Sequence, residues 1–260
     1  MRELIYLDNV SFTSENFEII REVKLSLPKN LTTVIMGSSG CGKSTLLKIA
    51  AGIYPPDSGL VYLKDKDLLE LNEKENREFR KISGFVFQDS ALFANTNIYE
   101  NIALPLKYHF PKLSAKEVSE RVEALCAELG FHDSTSLRPA RLSFGERKVI
   151  SFLRAIVCEP EILYLDDPTQ SVDSRFQENI IKVIKRFKDK GASIIMITHD
   201  PKLVSQIADY LVIVKKGEIL DAGDFNSVKQ NKDPYARQLL SQVLGEAASF
   251  DNDLLDLLNE

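Results

Sequence analysis

The sequence predicts an α/β fold, and three observations indicate it. Short apolar runs at 33–36, 162–165 and 193–197 are typical of parallel strands that are covered on both faces. A glycine-rich loop and then a helical pattern follow the first run, while 176–188 has a helical pattern between the other two. With 260 residues, the chain is long enough for one large domain that contains an inserted subdomain.

The first part of the chain predicts an antiparallel β subdomain. Residues 4–12 and 23–27 alternate between apolar and polar side chains, as strands with one buried face do. After the helix predicted at 46–50, the breaker cluster 54–59 precedes another predicted strand at 60–63.

The middle of the chain predicts an inserted helical subdomain at about 91–158. A strand within 82–87 comes first, and the pattern from 98 to 157 is mainly helical. Ser114 and Glu117 have the spacing of a capping box, and Gly130 is the expected end of that helix. Strands near 210–214 and 218–220 flank a turn, so we predict one domain over 1–240 and an acidic C-terminal tail over 241–260.

Composition excludes several classes of protein. The formal net charge of −5 argues against a nucleic-acid partner, and no apolar run approaches the roughly 20 residues that span a bilayer. The first residues lack a signal-peptide pattern, and the three cysteines are isolated, which fits a reducing compartment. We therefore expect a cytoplasmic protein.

Residues 37–45 form a phosphate-binding loop between a strand and a helix. Glycines let the backbone wrap around an anion, and the helix N-terminus adds partial positive charge. Lys43 is expected to reach the β- and γ-phosphates, while the Ser44 hydroxyl is expected to ligate Mg²⁺. An ordinary glycine turn before a helix would not need this lysine and hydroxyl. The candidate nucleotide-binding residues are Gly37, Ser38, Ser39, Gly40, Cys41, Gly42, Lys43, Ser44 and Thr45.

Cys41 has two interpretations. Its place near a helix N-terminus tends to lower a thiol pKa, so oxidation or alkylation there would block nucleotide binding. The alternative is an inert thiol that fills a permissive position of the loop.

Two further segments carry groups that suit nucleotide chemistry. Asp166 and Asp167 end an apolar strand, where the first carboxylate belongs near Mg²⁺ and the second polarises the attacking water. Ser143 and Gly145 begin a helix and form an anion site without a lysine of its own. Such a half-site makes sense if it closes over nucleotide held by a second subunit.

These motifs, in this order, resemble those of the ATP-binding cassette (ABC) ATPases over nearly the whole chain. Phe87-Gln88 resembles the family's Q-loop, 142–146 its signature, 171–173 its D-loop and 198–200 its switch histidine. The resemblance implies a phosphate-loop NTPase core, ATP and Mg²⁺ as cofactors, and a head-to-tail homodimer. It implies that Gln88 senses Mg²⁺ or the attacking water, that His199 contacts the γ-phosphate, and that Ser143 and Gly145 act in trans.

The chain departs from the family pattern at three places. Asp167 stands where glutamate is usual; because its side chain is one methylene shorter, we expect slow hydrolysis with intact nucleotide binding. Phe144 and Glu146 replace the usual glycine and glutamine of the signature, which adds bulk and negative charge. Ser14 stands where an aromatic ring usually stacks on the base, so that role falls to Phe12 or Phe17.

The stretch 88–106 resembles the ATPase subunits of bacterial lipid transporters that work with MCE-domain proteins. This resemblance implies a multi-span membrane permease, an MCE-domain lipid-binding partner and a place on the inner face of the cell membrane. Phe93, Ile98, Tyr99 and Leu106 would form a groove for a permease helix, or else belong to the core of the helical subdomain. Two rivals remain open, namely the ATPase of an amino-acid or other small-solute importer and a soluble ABC switch protein.

Overall fold

The computed structural model describes residues 3–243 and confirms the α/β class. The chain divides into two compact units. The first unit comprises 1–70 and 195–260, and the second comprises 71–194. The strands are β1 (Glu3–Ser14), β2 (Phe17–Pro28), β3 (Thr32–Met36), β4 (Ser58–Leu63), β5 (Lys66–Asp67), β6 (Ser83–Val86), β7 (Ile162–Asp166), β8 (Ser193–Ile197), β9 (Tyr210–Lys215) and β10 (Glu218–Asp224).

The helices are α1 (Lys43–Ala50), α2 (Glu73–Lys81), α3 (Ile98–His109), α4 (Ala115–Leu129), α5 (Phe144–Ile156), α6 (Ser174–Asp189), α7 (Pro201–Ile207) and α8 (Phe225–Lys229). Residues 234–243 are also helical. Short 3₁₀ turns occur at Leu68–Glu70 and Pro139–Arg141.

The first unit contains an antiparallel sheet with the strand order β2-β1-β4-β5. β1 pairs with β2 and β4, with Leu7 opposite both Leu25 and Val61. All three side chains are buried. They lie on the same face of the sheet, since side chains alternate between the two faces along a strand. The antiparallel β subdomain predicted from the alternating pattern is therefore present.

The same unit contains the strand order β10-β9-β3-β8. β3 runs parallel to β9, with Ile35 opposite Val212, and β9 pairs with β10 in the antiparallel sense. All five residues of β3 and of β8 are buried. This burial explains why their sequences are continuous apolar runs rather than alternating ones.

The second unit contains the parallel pair β6–β7 and helices α2 to α6. The predicted capping box of α4 is confirmed, with Ser114 and Glu117 bonded reciprocally and Gly130 in the left-handed conformation. Helices α3 to α5 lie within the range 91–158 that the sequence predicts for the helical subdomain. The domain boundaries themselves, and most of the tail at 241–260, stay a prediction, since 244–260 lies outside the described residues.

The sequence pattern missed α2. Only Phe79 of this helix is buried, so no apolar periodicity marks it. Asn72 and Glu75 nevertheless form a capping box, with reciprocal bonds of 3.0 Å, and this spacing was the available signal. Strands β2 and β10 are also longer than the predicted 23–27 and 218–220.

Candidate nucleotide site

The phosphate loop of the first unit connects β3 to α1. The helix begins at Lys43, and Gly42 before it has φ 103°. A Cβ on Gly42 would lie 2.9 Å from the Ile19 carbonyl oxygen, so both the backbone angle and the close approach require glycine. The predicted strand–loop–helix arrangement is thus present.

Lys43 is folded into this loop. Its Nζ donates to the carbonyl oxygens of Gly37 at 2.8 Å and Ser38 at 2.9 Å, and the residue is 8% exposed. The ammonium therefore lies inside the turn of backbone that the sequence assigns to phosphate. Ser44 follows in the first turn of α1, where the helix N-terminus favours an anion.

Cys41 does not have the lowered pKa expected from its position. Burial raises the pKa of this thiol, and this effect exceeds the opposing influence of the Lys43 ammonium. The side chain is 6% exposed. The structure thus favours the inert thiol among the two interpretations, because desolvation disfavours the thiolate.

Tyr235 is a loop contact that sequence reasoning missed. Its phenolic oxygen accepts from the Ser38 backbone N–H at 2.8 Å and lies 3.1 Å from both Ser38 Oγ and the Val214 carbonyl oxygen. Asp233 accepts from the Tyr235 N–H and lies 3.8 Å from Lys215 Nζ. The start of the 234–243 helix is thereby tied to the phosphate loop, and no local sequence pattern reports this contact.

His199 follows β8 in the first unit and is exposed. Thr198 before it is buried, and its Oγ1 accepts from the Asp200 N–H at 3.1 Å. Asp200 in turn caps α7 by accepting from two backbone N–H groups. The backbone on both sides of the imidazole is held, while the ring itself is accessible to a ligand.

The aromatic side chains near the expected base position are not equivalent. Phe12 stacks on Tyr54, with ring centroids 5.5 Å apart, and Lys48 Nζ lies 5.2 Å from the Tyr54 centroid. Phe17 is 75% exposed at the turn between β1 and β2. Of the two rings that the sequence offered, Phe17 is the one whose surface is available.

Asp166 is the last residue of β7 in the second unit and Asp167 follows it, so both carboxylates stand at the end of this strand as predicted. Asp166 is 1% exposed, whereas Asp167 is half-buried and has φ 48°. Aspartate is among the few non-glycine residues that adopt the left-handed region readily. The turn that follows the strand therefore suits aspartate at position 167.

Gln88 follows β6, and its side chain is exposed. The backbone around it is held from α5, because Lys148 Nζ donates to the carbonyl oxygens of Phe87 at 3.0 Å and Gln88 at 2.6 Å. Arg154 donates to the carbonyl oxygens of Ser90 at 3.0 Å and Ala91 at 2.8 Å. Burial lowers the pKa of Lys148. The negative charges of Asp166, Asp167 and Asp89 oppose this lowering.

The loop after Gln88 has a second support. Asn101 is 1% exposed, accepts from the Phe93 N–H at 2.8 Å and donates to the carbonyl oxygens of Phe93 and Asn97. Of the residues predicted as a permease groove, Phe93 is 54% exposed while Ile98 and Leu106 are buried. Ile98 and Leu106 therefore belong to the core of the second unit rather than to a surface.

Ser143 and Glu146 form a capping box at the start of α5. The Ser143 side chain accepts from the Glu146 N–H at 3.2 Å, and the Glu146 carboxylate accepts from the Ser143 N–H at 2.7 Å. The carboxylate thus occupies a backbone donor that the sequence assigns to phosphate. Phe144 is 41% exposed, and its ring centroid lies 5.8 Å from Arg147 Cζ and 5.9 Å from Lys148 Nζ.

Gly145 is required by a close backbone approach. A Cβ at this position would lie 2.5 Å from the Ser171 carbonyl oxygen. The start of α5 therefore packs against the loop before α6, in which the sequence places the D-loop. Within the second unit, the structure brings the signature and D-loop segments together.

The donors predicted for Mg²⁺ are a hydroxyl on Ser44, an amide on Gln88 and a carboxylate on Asp166. Oxygen groups of this kind suit Mg²⁺, which commonly takes one or two carboxylates together with substrate phosphates. No group of three or more His, Cys, Asp or Glu side chains forms a metal cage within 3–243. Taken one by one, the three predicted donors carry the oxygen atoms that Mg²⁺ prefers.

No described helix combines the length and the apolar character needed to cross a bilayer.

Comparison with known proteins gives the family. Residues 20–170 match the family described as ABC transporter. The spermidine/putrescine import ATP-binding protein of Fusobacterium nucleatum is 30% identical over 257 residues, which cover 98% of this chain and 66% of that protein. The sulfate/thiosulfate import ATP-binding protein of Mesostigma viride is 32% identical over 256 residues, which cover 98% of this chain and 71% of that protein.

A solved structure agrees with these relatives. The dimeric ATP-binding cassette MJ0796 in a post-hydrolysis state, bound to ADP and phosphate, has a TM-score of 0.77 and 27% identity. The match covers 85% of this chain and 98% of that one. The predicted fold class is confirmed by this match.

The finer prediction of a lipid cargo with an MCE-domain partner gains no support from these matches. The relatives are named for import of polyamines and sulfate, and a methionine import ATP-binding protein of Mannheimia succiniciproducens is also 30% identical. The chain spans about two thirds of the length of these relatives, 66% to 71%. On the strength of the matched family, the ordered motifs and the shared fold, this chain belongs to the ABC transporter family, as an ATP-binding subunit of the ATP-hydrolysing type.

Proposed function

We propose that this chain is the ATP-hydrolysing subunit of a membrane importer for a small solute, peripheral on the inner face of the cell membrane. ATP with Mg²⁺ is the energy source, and the two copies of a head-to-tail homodimer each hold one nucleotide. The importer class rests on the relatives named for polyamine, sulfate and methionine import.

The residue roles follow the chemistry of the described groups. Lys43 and the loop around it bind the phosphates, and Ser44 and Asp166 supply oxygens for Mg²⁺. Asp167 orients the attacking water, His199 contacts the γ-phosphate and Gln88 senses the metal or the water. Ser143 and Gly145 meet the γ-phosphate of the partner copy through the N-terminus of α5.

A cavity in the second unit is the observation that carries the transport assignment. It measures about 330 Å³ and lies where β6 ends, with the apolar side chains of Phe85, Phe87, Phe93 and Leu104 in its wall. Phe93 and Leu104 are 54% and 43% exposed. An open apolar recess beside the backbone of Gln88 suits the side chains of a partner helix.

The charge of the cavity adds to this argument. Arg80, Lys81 and Arg154 line it, and none of the described lining residues is acidic. A partner helix that carries a carboxylate beside its apolar face would therefore be favoured over a basic one. We assign this position to a cytoplasmic helix of a multi-span permease.

An affinity capture from detergent-solubilised native membranes tests the proposal. The full chain should retain a multi-span permease. Leu104→Lys should weaken retention at least tenfold, since it adds bulk and positive charge to a cationic recess. Leu69→Lys is the matched control, because Leu69 is 58% exposed and is not a lining residue.

The outcomes separate the rival functions. Recovery of a permease whose reconstituted complex takes up a small solute supports the proposal. Recovery of an MCE-domain protein with bound phospholipid would identify lipid, and not a small solute, as the cargo. Recovery of soluble proteins alone would overturn the transport assignment in favour of a soluble switch.

A further inference from the structure

Lys148 is a buried cation that the roles above do not use. It lies in the second turn of α5 and is 0% exposed, among the largest fully buried side chains of the described residues. Lysine is almost never fully buried unless its ammonium is paired. The groups that contact this ammonium therefore indicate the role of the buried lysine.

The ammonium contacts two consecutive carbonyl oxygens where β6 ends, those of Phe87 at 3.0 Å and Gln88 at 2.6 Å. Arg154, six residues further along α5, contacts the carbonyl oxygens of Ser90 and Ala91. Ser90 and Ala91 have φ values of 68° and 43°, so the loop here is held in conformations that side chains disfavour. One helix thus fixes four carbonyl groups between 87 and 91.

The negative charges of Asp166, Asp167 and Asp89 act on the Lys148 ammonium and oppose the lowering of its pKa by burial. The same cation therefore holds the backbone of Gln88 by a hydrogen bond and experiences the negative charge of the acids at the end of β7. A hydrogen bond from a charged donor contributes more to stability than a neutral one, so the ammonium favours one arrangement of this short loop.

We propose that Lys148 is a positioning residue for ATP hydrolysis, which holds the backbone of Gln88 so that its side chain stays in register with the carboxylates at the end of β7. The proposal rests on the proposed function, because it concerns the rate of the same reaction. It differs from a purely structural role, in which the ammonium would only satisfy two carbonyl groups.

Replacement of the ammonium by a group of similar length tests the proposal. Lys148→Met removes the charge and the donors but keeps an unbranched side chain. We expect kcat to fall by about 100-fold, the scale of a misplacement near 1 Å. KM for ATP and the Kd of a fluorescent ATP analogue should stay within twofold, since Lys43 and its loop hold the phosphates. Lys148→Gln, which retains a donor, should recover part of the loss.

Two control variants isolate the positioning role. Lys116→Met removes a lysine whose side chain is 84% exposed, and it should change nothing. Val122→Ala truncates a buried side chain of α4 and should lower Tm without changing kcat. If Lys148→Met behaves like Val122→Ala at an equal loss of Tm, or if KM rises in proportion to the fall in kcat, the positioning role is wrong.

Hydrogen exchange separates this proposal from the proposed function. Amides from 87 to 93 should exchange faster in Lys148→Met than in the unmodified chain, while amides of β7 should be unchanged. A chain that hydrolyses no ATP in its complex would overturn the proposed function, yet the exchange data would still test the contact. Unchanged exchange at 87–93 would overturn the role of Lys148.

Discussion

Asp167 combines a proposed catalytic role with a backbone requirement. Its φ of 48° suits aspartate, whereas the family usually has the longer glutamate at this place. The sequence predicts that the shorter carboxylate slows hydrolysis. The left-handed backbone at this position gives a physical reason for aspartate instead of glutamate. Stability and turnover are therefore expected to change in opposite directions when this residue is lengthened.

We expect Asp167→Glu to raise kcat of the assembled complex by at least tenfold, because the carboxylate reaches about 1 Å further towards the water. Tm should fall by a few degrees, since glutamate adopts the left-handed region less readily. Steady-state ATPase assays and calorimetry measure the two effects. An unchanged or lower kcat would show that the length of this acid does not limit the reaction.

Tyr235 gives a second prediction for a single residue. Tyr235→Phe removes the oxygen that accepts from the Ser38 N–H and lies near the Val214 carbonyl oxygen. The loss of a hydrogen bond of about 0.5 to 1.5 kcal/mol should weaken nucleotide binding by roughly 2- to 10-fold. Titration with a fluorescent ATP analogue measures the change.

The control for this variant is Tyr108→Phe, because Tyr108 is 62% exposed in the second unit. Its nucleotide Kd should match that of the unmodified chain. Equal affinities for both variants would mean that the 234–243 helix does not stabilise the phosphate loop.

At the scale of elements, the start of α5 has two competing demands. The Ser143–Glu146 capping box stabilises the helix, yet the same Ser143 N–H is a donor proposed for the partner's nucleotide. The carboxylate near the helix N-terminus also complements the partial positive charge there. Binding of a phosphate in trans therefore has to displace Glu146.

We expect Glu146→Gln to favour the nucleotide-bound dimer, because it removes a negative charge that faces the incoming phosphate. An amide still closes a capping box, so the loss of stability should stay within about 0.3 to 1 kcal/mol. Sedimentation of the chain with ATP and Mg²⁺ should give a dimer at a lower protein concentration than the unmodified chain requires. A higher required concentration would refute the competition.

The elements also show how far the sequence predicts the molecule. Continuous apolar runs located β3, β7 and β8, and the spacing of Ser114 and Glu117 located α4, because each pattern depends on neighbouring residues alone. The mostly polar α2 was not predicted, because a helix that buries only Phe79 has no apolar stripe.

The candidate site shows the same contrast between residues that belong to a local pattern and residues that do not. Lys43, Asp166 and Ser143 were predicted because each belongs to a local motif. Lys148 and Tyr235 were missed, because their partners are 60 and 197 residues away along the chain, and a lysine inside an amphipathic helix is normally assigned to the solvent-facing side. Long-range contacts of this kind leave no periodic signal.

At the scale of the whole molecule, the candidate residues are divided between the two units. The phosphate loop and His199 belong to the first, while Gln88, Asp167 and Ser143 belong to the second. Their roles come from the resemblance of the ordered motifs to those of ABC ATPases, and they stay a prediction. The nucleotide-binding motifs carry little information about the transported cargo, because their proposed ligand is ATP and not the solute.

All three cysteines of the chain are expected to be unreactive near neutral pH. Burial raises the pKa of Cys126 and of Cys158 to about 11, and it raises that of Cys41 as well. Because the raised values belong to the folded state, these thiols contribute stability that is full below the unfolded pKa near 9 and is lost as the pH rises towards 11. Intact-mass measurement after brief treatment with N-ethylmaleimide should find little addition at pH 7 and more at pH 10. Stoichiometric addition at pH 7 would contradict this expectation.

The raised pKa values of the native thiols make the chain convenient for spectroscopy. A single cysteine introduced by Lys116→Cys, at a side chain that is 84% exposed, would take a maleimide dye or spin label at neutral pH ahead of the three native cysteines. A cysteine-free background, which would require a substitution inside the phosphate loop, is then unnecessary. Distance measurements between labelled copies would consequently test whether the proposed homodimer opens and closes during ATP turnover, in a chain whose candidate nucleotide-binding residues are unchanged.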